Sequence, residues 1–173
     1  MEPIKNIIQF PFSLHMYGQE SKVRGLYLTI SCDIERLLCD IIAKCEIDNP
    51  NERNEFKLTL PFAMGAKIVR CKDALGEYNI EYFNFVEPDF KEIELLLKYR
   101  NMLAHGFSEY DDNKFDNSFI IFNWIEKDIN NKRVHQTEKI MVMPFIMKMK
   151  EYRNNVWKFM QLHHRLTEER GEE

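Results

Sequence analysis

The sequence predicts a mainly all-α protein: a helical bundle of about four to five helices with a β-hairpin inserted before the last helix. The chain has 173 residues, 45% of them hydrophobic and 30% charged, which suits a single domain spanning residues 1–173. Apolar residues recur three and four positions apart over long stretches, which is the period of an amphipathic helix. Two neighbouring segments between residues 118 and 142 are instead rich in β-branched and aromatic residues, which favours strands.

The first helix is expected over about residues 19–45, where the apolar positions fall on one face. They are Val23, Leu26, Tyr27, Ile30, Ile34, Leu37, Leu38, Ile41 and Cys45. A polar loop over residues 46–55 follows, because Asn49-Pro50-Asn51 is typical of a turn.

Prolines and glycines set the expected ends of the next two helices. The second helix is expected to start after Thr59 as its N-cap, with Pro61 in its first turn, and to end at Gly76. The third is expected to start at Pro88, since a missing N–H is tolerated in the first turn. It is expected to end at Gly106, as a residue in the left-handed cap conformation.

The hairpin and the last helix complete the predicted order. Residues 118–124 and 134–142 are expected to pair as antiparallel strands, with residues 126–132 between them. The last helix is expected over about residues 144–166, and the charged residues 168–173 are expected to form a frayed tail.

Charge and cysteine content restrict the classes of function. Lys and Arg number 24 against 28 Asp and Glu, so the net charge of −4 excludes a protein that coats nucleic acid by bulk charge, and any polyanion must meet a local patch. The four cysteines form no C-x-x-C pair, which disfavours a zinc knuckle and a disulfide framework. With no apolar run of about 18 residues and no signal-like start, we expect a cytoplasmic protein without membrane contact.

The third predicted helix places an arginine among apolar residues. With Ile93 at zero and about 100° per residue, Arg100 falls at about 340°, inside the stripe made by Phe90, Ile93, Leu96, Leu97, Leu103 and Ala104. A lone guanidinium there costs several kcal/mol unless it is paired or faces a wet groove. Asn101 and His105 lie on the flank one turn apart, and His105 ends the helix, where the negative end of the helix dipole favours a cation. The three side chains could converge on one anion, such as a phosphodiester.

The string Arg100-Asn101-Met102-Leu103-Ala104-His105-Gly106 resembles the signature of the HEPN superfamily, an Arg, a polar residue and then a His late in a helix. The resemblance implies an all-α bundle, homodimerisation, and metal-independent endoribonuclease activity at a cleft where two motifs meet. It carries over Arg100 and His105 as catalytic and Asn101 as a supporting, RNA-binding residue, with no metal or other cofactor. Many members are toxins or anti-phage defence effectors, so RNA, a second copy and an antitoxin or regulatory protein are the expected partners.

Dimerisation is also expected from the position of Arg100. No residue one turn away on the same helix is acidic, so a second copy facing this helix would answer its charge, and the apolar stripe would supply the interface. Two other classes of function stay open. One is a non-catalytic HEPN dimer that binds a nucleotide, RNA or partner protein, and the other is a structural helical subunit in which Arg100 pairs with an acidic residue inside the fold.

Three further features have both a functional and a structural interpretation. The last helix carries cations that could track RNA or could form a solvated face: Lys148, Lys150, Arg153, Lys158 and Arg165. The acidic segment 109–116 follows the motif and would repel phosphate unless it swings away or binds a basic partner, and a solvated loop is the simpler interpretation. His163 is expected to be a core histidine that cannot share a metal with His164, and the cysteines are expected to be small core residues.

Overall fold

The computed structural model of the protein describes residues 14–109, 119–127 and 129–171. Over these residues the chain forms five α-helices, one short 3₁₀ helix (Pro50–Glu52) and three strands. The helices are α1 (Leu14–Glu46), α2 (Arg53–Leu58), α3 (Met64–Tyr78), α4 (Ile80–His105) and α5 (Val142–Glu169). The strands are β1 (Phe107–Glu109), β2 (Phe119–Lys127) and β3 (Arg133–Met141). The predicted fold class is confirmed: the fold is mainly helical, with a hairpin before the last helix.

Helix α1 is the centre of the bundle, and it packs most extensively against α5 and α3. Its apolar face is buried from Val23 to Ile42, as the periodicity of the sequence predicts. The Tyr27 hydroxyl on this face donates to the Leu96 carbonyl of α4 at 3.2 Å, so that a polar atom carried into the core is satisfied.

The three strands form one antiparallel sheet in the order β1-β2-β3. Ile120, Phe122 and Ile140 point to one face of it and are buried against the helices. Phe107 lies on the opposite face and is 80% exposed. Strand β1 was not predicted, and it extends the expected hairpin to three strands by pairing Phe107 with Asn123.

The expected loop at residues 46–55 is wrong in part, because it contains the 3₁₀ helix and the start of α2. Asn49 caps this segment by accepting from the Asn51 N–H at 3.1 Å. The expected N-cap role of Thr59 is also wrong. Thr59 ends α2 with its hydroxyl on the Phe56 carbonyl at 2.7 Å, and α3 begins five residues later, at Met64.

Two predicted helix ends are corrected by the structure. Pro88 lies inside α4, which starts at Ile80 behind the N-cap Asn79, whose side chain accepts from the Glu81 N–H at 2.9 Å. The two added turns bury Val86 completely, and this gain outweighs the loss of one helical hydrogen bond at Pro88. Likewise α3 passes Gly76 and ends at Tyr78.

The charged C-terminal segment makes specific contacts through residue 170. Helix α5 continues to Glu169, beyond the expected end at residue 166. The hydroxyl groups of Tyr78 and Tyr82 donate to the Glu169 carboxylate, and Arg170 pairs with Asp48. Residues 168–170 are therefore held against α3, α4 and the end of α1 rather than forming the frayed tail that the sequence suggested.

Candidate functional site

The Arg-Asn-x-x-x-His motif occupies the last turn of α4, where the chain passes directly into β1. His105 is the final helical residue, and its side chain is exposed. The side chains of Arg100 and Asn101 lie outside the described part of the structure, so the expected contacts of both residues, including pairing of Arg100 with a buried carboxylate, are not tested.

The buried face of α4 rotates before the helix ends. Phe90, Ile93 and Leu96 are buried as expected, but Ala104, which the helical wheel places on the apolar stripe, is exposed. Met102, about 180° from Ile93, is fully buried instead. In the last turn, therefore, one side of α4 faces the core and the sheet, and the side that carries Ala104 and His105 faces solvent.

The stripe on α4 belongs to the core of a single protomer. Leu96 is fully buried and Leu103 is 1% exposed within one chain. These residues cannot also supply an apolar interface to a second copy without opening the fold. The expectation that the stripe forms the dimer interface is therefore wrong, whereas dimerisation itself stays a prediction.

Arg24 of α1 holds the C-terminal end of the motif helix. Its guanidinium donates to the carbonyl of Leu103 and, at 2.7 Å, to the carbonyl of Gly106. Carbonyls in the last turn of a helix lack a helical partner, and a cation at this end also interacts favourably with the helix dipole. Arg24 therefore fixes the backbone on both sides of His105.

A second layer of contacts fixes Arg24 itself. Its Nε donates to Glu20 at 2.7 Å, and the other carboxylate oxygen of Glu20 accepts from the Ser108 hydroxyl at 2.6 Å. The guanidinium also lies 4.9 Å from the centre of the Phe122 ring, in cation–π geometry. Helix α1, the motif and strands β1 and β2 are joined through this one side chain.

The sequence analysis missed Arg24 and Glu20. The available signal is a Glu and an Arg four residues apart beside the apolar stripe of α1, a spacing that brings the two side chains together on a helix. Exposed pairs at this spacing are common, so the pattern alone does not identify a partner. Only the tertiary packing of α1 against the end of α4 reveals what the pair binds.

Gly106 is conserved in shape by close approach rather than by a left-handed backbone. Its φ of −71° and ψ of 147° are extended, so the expected left-handed cap is wrong. A Cβ at this position would lie 2.3 Å from the Met102 carbonyl oxygen and 3.2 Å from that of Asn123. Gly106 lets the chain turn from α4 into β1 while touching the backbone of β2.

The cations of α5 do not form one uniform surface. Lys158 pairs with the buried Asp89 of α4 at 3.2 Å, and Arg165 lies 5.0 Å from the centre of the Phe85 ring. Lys148 is 5.7 Å from the ring centre of Tyr99, which is one residue before the motif, and Lys150 is exposed. The Arg153 side chain lies outside the described residues.

The remaining candidate residues have separate environments. The acidic residues Asp111, Asp112 and Asp116 lie outside the described residues, as do Lys114 and the side chain of Glu109. His163 is half-buried, and its burial, followed by the nearby charge of Lys44, lowers the pKa of its imidazole.

The cysteine side chains differ in exposure. Cys71 is buried and Cys32 is exposed, whereas Cys39 and Cys45 are intermediate. Burial raises the pKa of Cys45 to about 12 and that of Cys71 well above its usual value. The core role expected of the cysteines therefore holds for Cys71 and in part for Cys39 and Cys45, but not for Cys32.

Within the described ranges, no three or more His, Cys, Asp or Glu side chains are grouped so that they could hold a metal ion. Over the same ranges, no helix has the length and apolar character needed to cross a membrane. Comparison of the chain with protein-family models, curated proteins and solved structures gives no significant match.

Proposed function

We propose that this protein is a metal-independent endoribonuclease of HEPN type, in which Arg100 and His105 are the catalytic residues and Asn101 helps to bind RNA. The observation that supports this most directly is the setting of His105. Its side chain is exposed at the end of α4, while Arg24 anchors the backbone on both sides of it. A general acid or base needs both access to substrate and a fixed position.

RNA supplies its own nucleophile, which keeps the required protein chemistry simple. The 2′-hydroxyl attacks the adjacent phosphorus, the bond to the 5′-oxygen breaks, and the products are a 2′,3′-cyclic phosphate and a 5′-hydroxyl. His105 would move the protons, and Arg100 would stabilise the extra negative charge on the phosphorane.

The surroundings of the motif add features that suit a single-stranded or looped RNA. Phe107, two residues after His105, is 80% exposed, and aromatic side chains in such positions can stack on unpaired bases. Lys148 and Lys150 lie on the part of α5 that packs near Tyr99, and they could contact the backbone of the RNA.

We also propose a homodimer, with an interface different from the one suggested by the helical wheel. The outer face of the sheet leaves Phe107 80% and Met141 53% exposed, and it lies beside the motif. A two-fold axis here would bring two motifs toward one groove without opening the core. Phe107→Glu should then give a folded monomer by ultracentrifugation, whereas Phe62→Glu, a control at an equally exposed residue remote from the motif, should leave a dimer of about twice 20.9 kDa.

A cytoplasmic toxin or anti-phage effector, restrained by an antitoxin or regulatory protein, is the biological role that fits this activity. Expression of the wild-type chain in a bacterium should then arrest growth, and His105→Ala should relieve the arrest at equal protein level. Equal growth arrest by both proteins would contradict the proposal.

The biochemical test uses purified protein and total RNA. Wild type should cleave RNA in EDTA, a substrate with 2′-deoxyribose at the scissile position should resist, and folded His105→Ala should be inactive. RNA binding without cleavage by the wild type would favour the alternative, a non-catalytic HEPN dimer.

A further inference from the structure

A second polar site lies at the far end of α1. A pocket of about 290 Å³ opens where the last turn of α1 meets α2 and α5. Its walls carry Lys44 from α1, Arg53 and Lys57 from α2, and His163 from α5. None of these residues belongs to the motif, and the site is separate from it: Lys44 and Arg24 are 20 positions apart on one helix, or about 30 Å.

The pocket concentrates positive charge in a protein whose net charge is −4. Three cationic side chains line it, against the single carboxylate of Asp40, which is already paired with Lys57 at 2.7 Å. Lys44 and Arg53 are buried, with 8% and 5% of their surface exposed. Buried like charges are costly unless an opposite charge compensates them.

The mutual repulsion is visible in the titration of the pocket residues. Burial and the charge of Arg53 lower the pKa of Lys44, and burial and the charge of Lys44 lower the pKa of His163. Both side chains would gain from an anion placed between them. The pocket is therefore electrostatically incomplete as it stands.

Backbone contacts hold the cations in place before any ligand arrives. The Arg53 guanidinium donates to the carbonyls of Ile47 at 2.8 Å and Asp48 at 3.2 Å. Arg170 donates to the Lys44 carbonyl at 2.6 Å, which fixes the last turn of α1 from the other side. A ligand that enters the pocket meets charges that are already positioned, so little ordering is required on binding.

We propose that this pocket binds a small phosphate-type dianion. Lysine and arginine are the usual ligands of phosphate oxygens, and the imidazole of His163 and the amide of Asn54 add hydrogen-bond donors at the same walls. The volume is at the lower limit of small-molecule pockets, about 300–1,000 Å³, which fits inorganic phosphate, pyrophosphate or the phosphate end of a nucleoside monophosphate.

The first test measures binding of inorganic pyrophosphate, orthophosphate and AMP to the full chain by calorimetry at constant ionic strength. Wild type should bind at least one of them saturably, and Lys44→Met should bind it at least tenfold more weakly. Lys22→Met, which removes an exposed charge from the same helix, should bind like wild type. Tighter binding of pyrophosphate than of AMP identifies an inorganic ligand, and the reverse order identifies a nucleotide.

The second test needs no substitution. In an NMR titration of wild type, saturating pyrophosphate should move the titration of His163 to higher pH and leave the exposed His164 unchanged. Absence of saturable binding, equal affinity in Lys44→Met and wild type, or an unchanged His163 titration would each overturn the proposal. Because the pocket is remote from the motif, His105→Ala should retain anion binding, so failure of the RNase proposal leaves this result intact.

Discussion

Replacing Arg24 by Met should destabilise the protein by about 2–4 kcal/mol. The change keeps an apolar side chain of similar length but removes the donors to the carbonyls of Leu103 and Gly106. A hydrogen bond from a charged group contributes about 1.5–3 kcal/mol, and the sum is reduced because water can reach a side chain that is 22% exposed. Glu20 also loses its cationic partner, although it still accepts from Ser108.

Urea unfolding followed by circular dichroism at 222 nm measures this difference, provided that the slope with denaturant is unchanged. Arg36→Met is the matched control, because Arg36 is on the same helix, is 75% exposed and lies 4.0 Å from its partner Asp33. We expect the control to lose less than about 0.5 kcal/mol. A loss that small in Arg24→Met would refute the assignment of Arg24 as the clamp on the motif helix.

Three further predictions follow from the contacts of the described residues. Gly106→Ala should lower the free energy of unfolding by more than about 2 kcal/mol in the same urea assay, because the new Cβ would lie 2.3 Å from the Met102 carbonyl oxygen; wild-type stability would show that the turn can relax. In native protein at pH 8, a thiol reagent such as DTNB should modify only the exposed Cys32 within minutes, and Cys32→Ser should then show no rapid phase; rapid modification of more than one thiol would contradict the burial of Cys71. His163 has a lowered pKa in the folded protein, so the unfolded chain binds more protons and stability should fall as the pH drops through the ordinary value of 6.5 toward the folded one. His163→Gln should flatten that pH dependence between pH 7 and 5, and an identical profile would count against the assigned environment.

The sequence was informative where local pattern and tertiary packing agree. The periodicity of α1 predicted a continuous buried face, and the β-branched segments predicted the β2–β3 pair, because each pattern directly reflects which side of an element meets the core. The motif was likewise placed correctly at the end of α4.

Rules for proline and glycine were less reliable, since packing can override them. Pro88 lies inside α4 because Val86 and its neighbours gain a buried site, and Gly106 is needed for contact with β2 rather than for a left-handed backbone. Strand β1 has only three residues, too few for a period, and exists because β2 offers it an edge. The role of Arg24 depends on a contact across 82 positions of sequence, which no local pattern encodes.

The most direct test of the proposed function compares wild type with His105→Ala on a defined single-stranded RNA in EDTA. His105 ends α4 with an exposed side chain, so the substitution should cost only about 0.3–1 kcal/mol of stability and leave a folded protein. Wild type should produce fragments with 2′,3′-cyclic phosphate ends, and the variant should be slower by well over tenfold. Full activity in folded His105→Ala, or cleavage that strictly requires Mg²⁺, would contradict a metal-independent mechanism centred on this histidine.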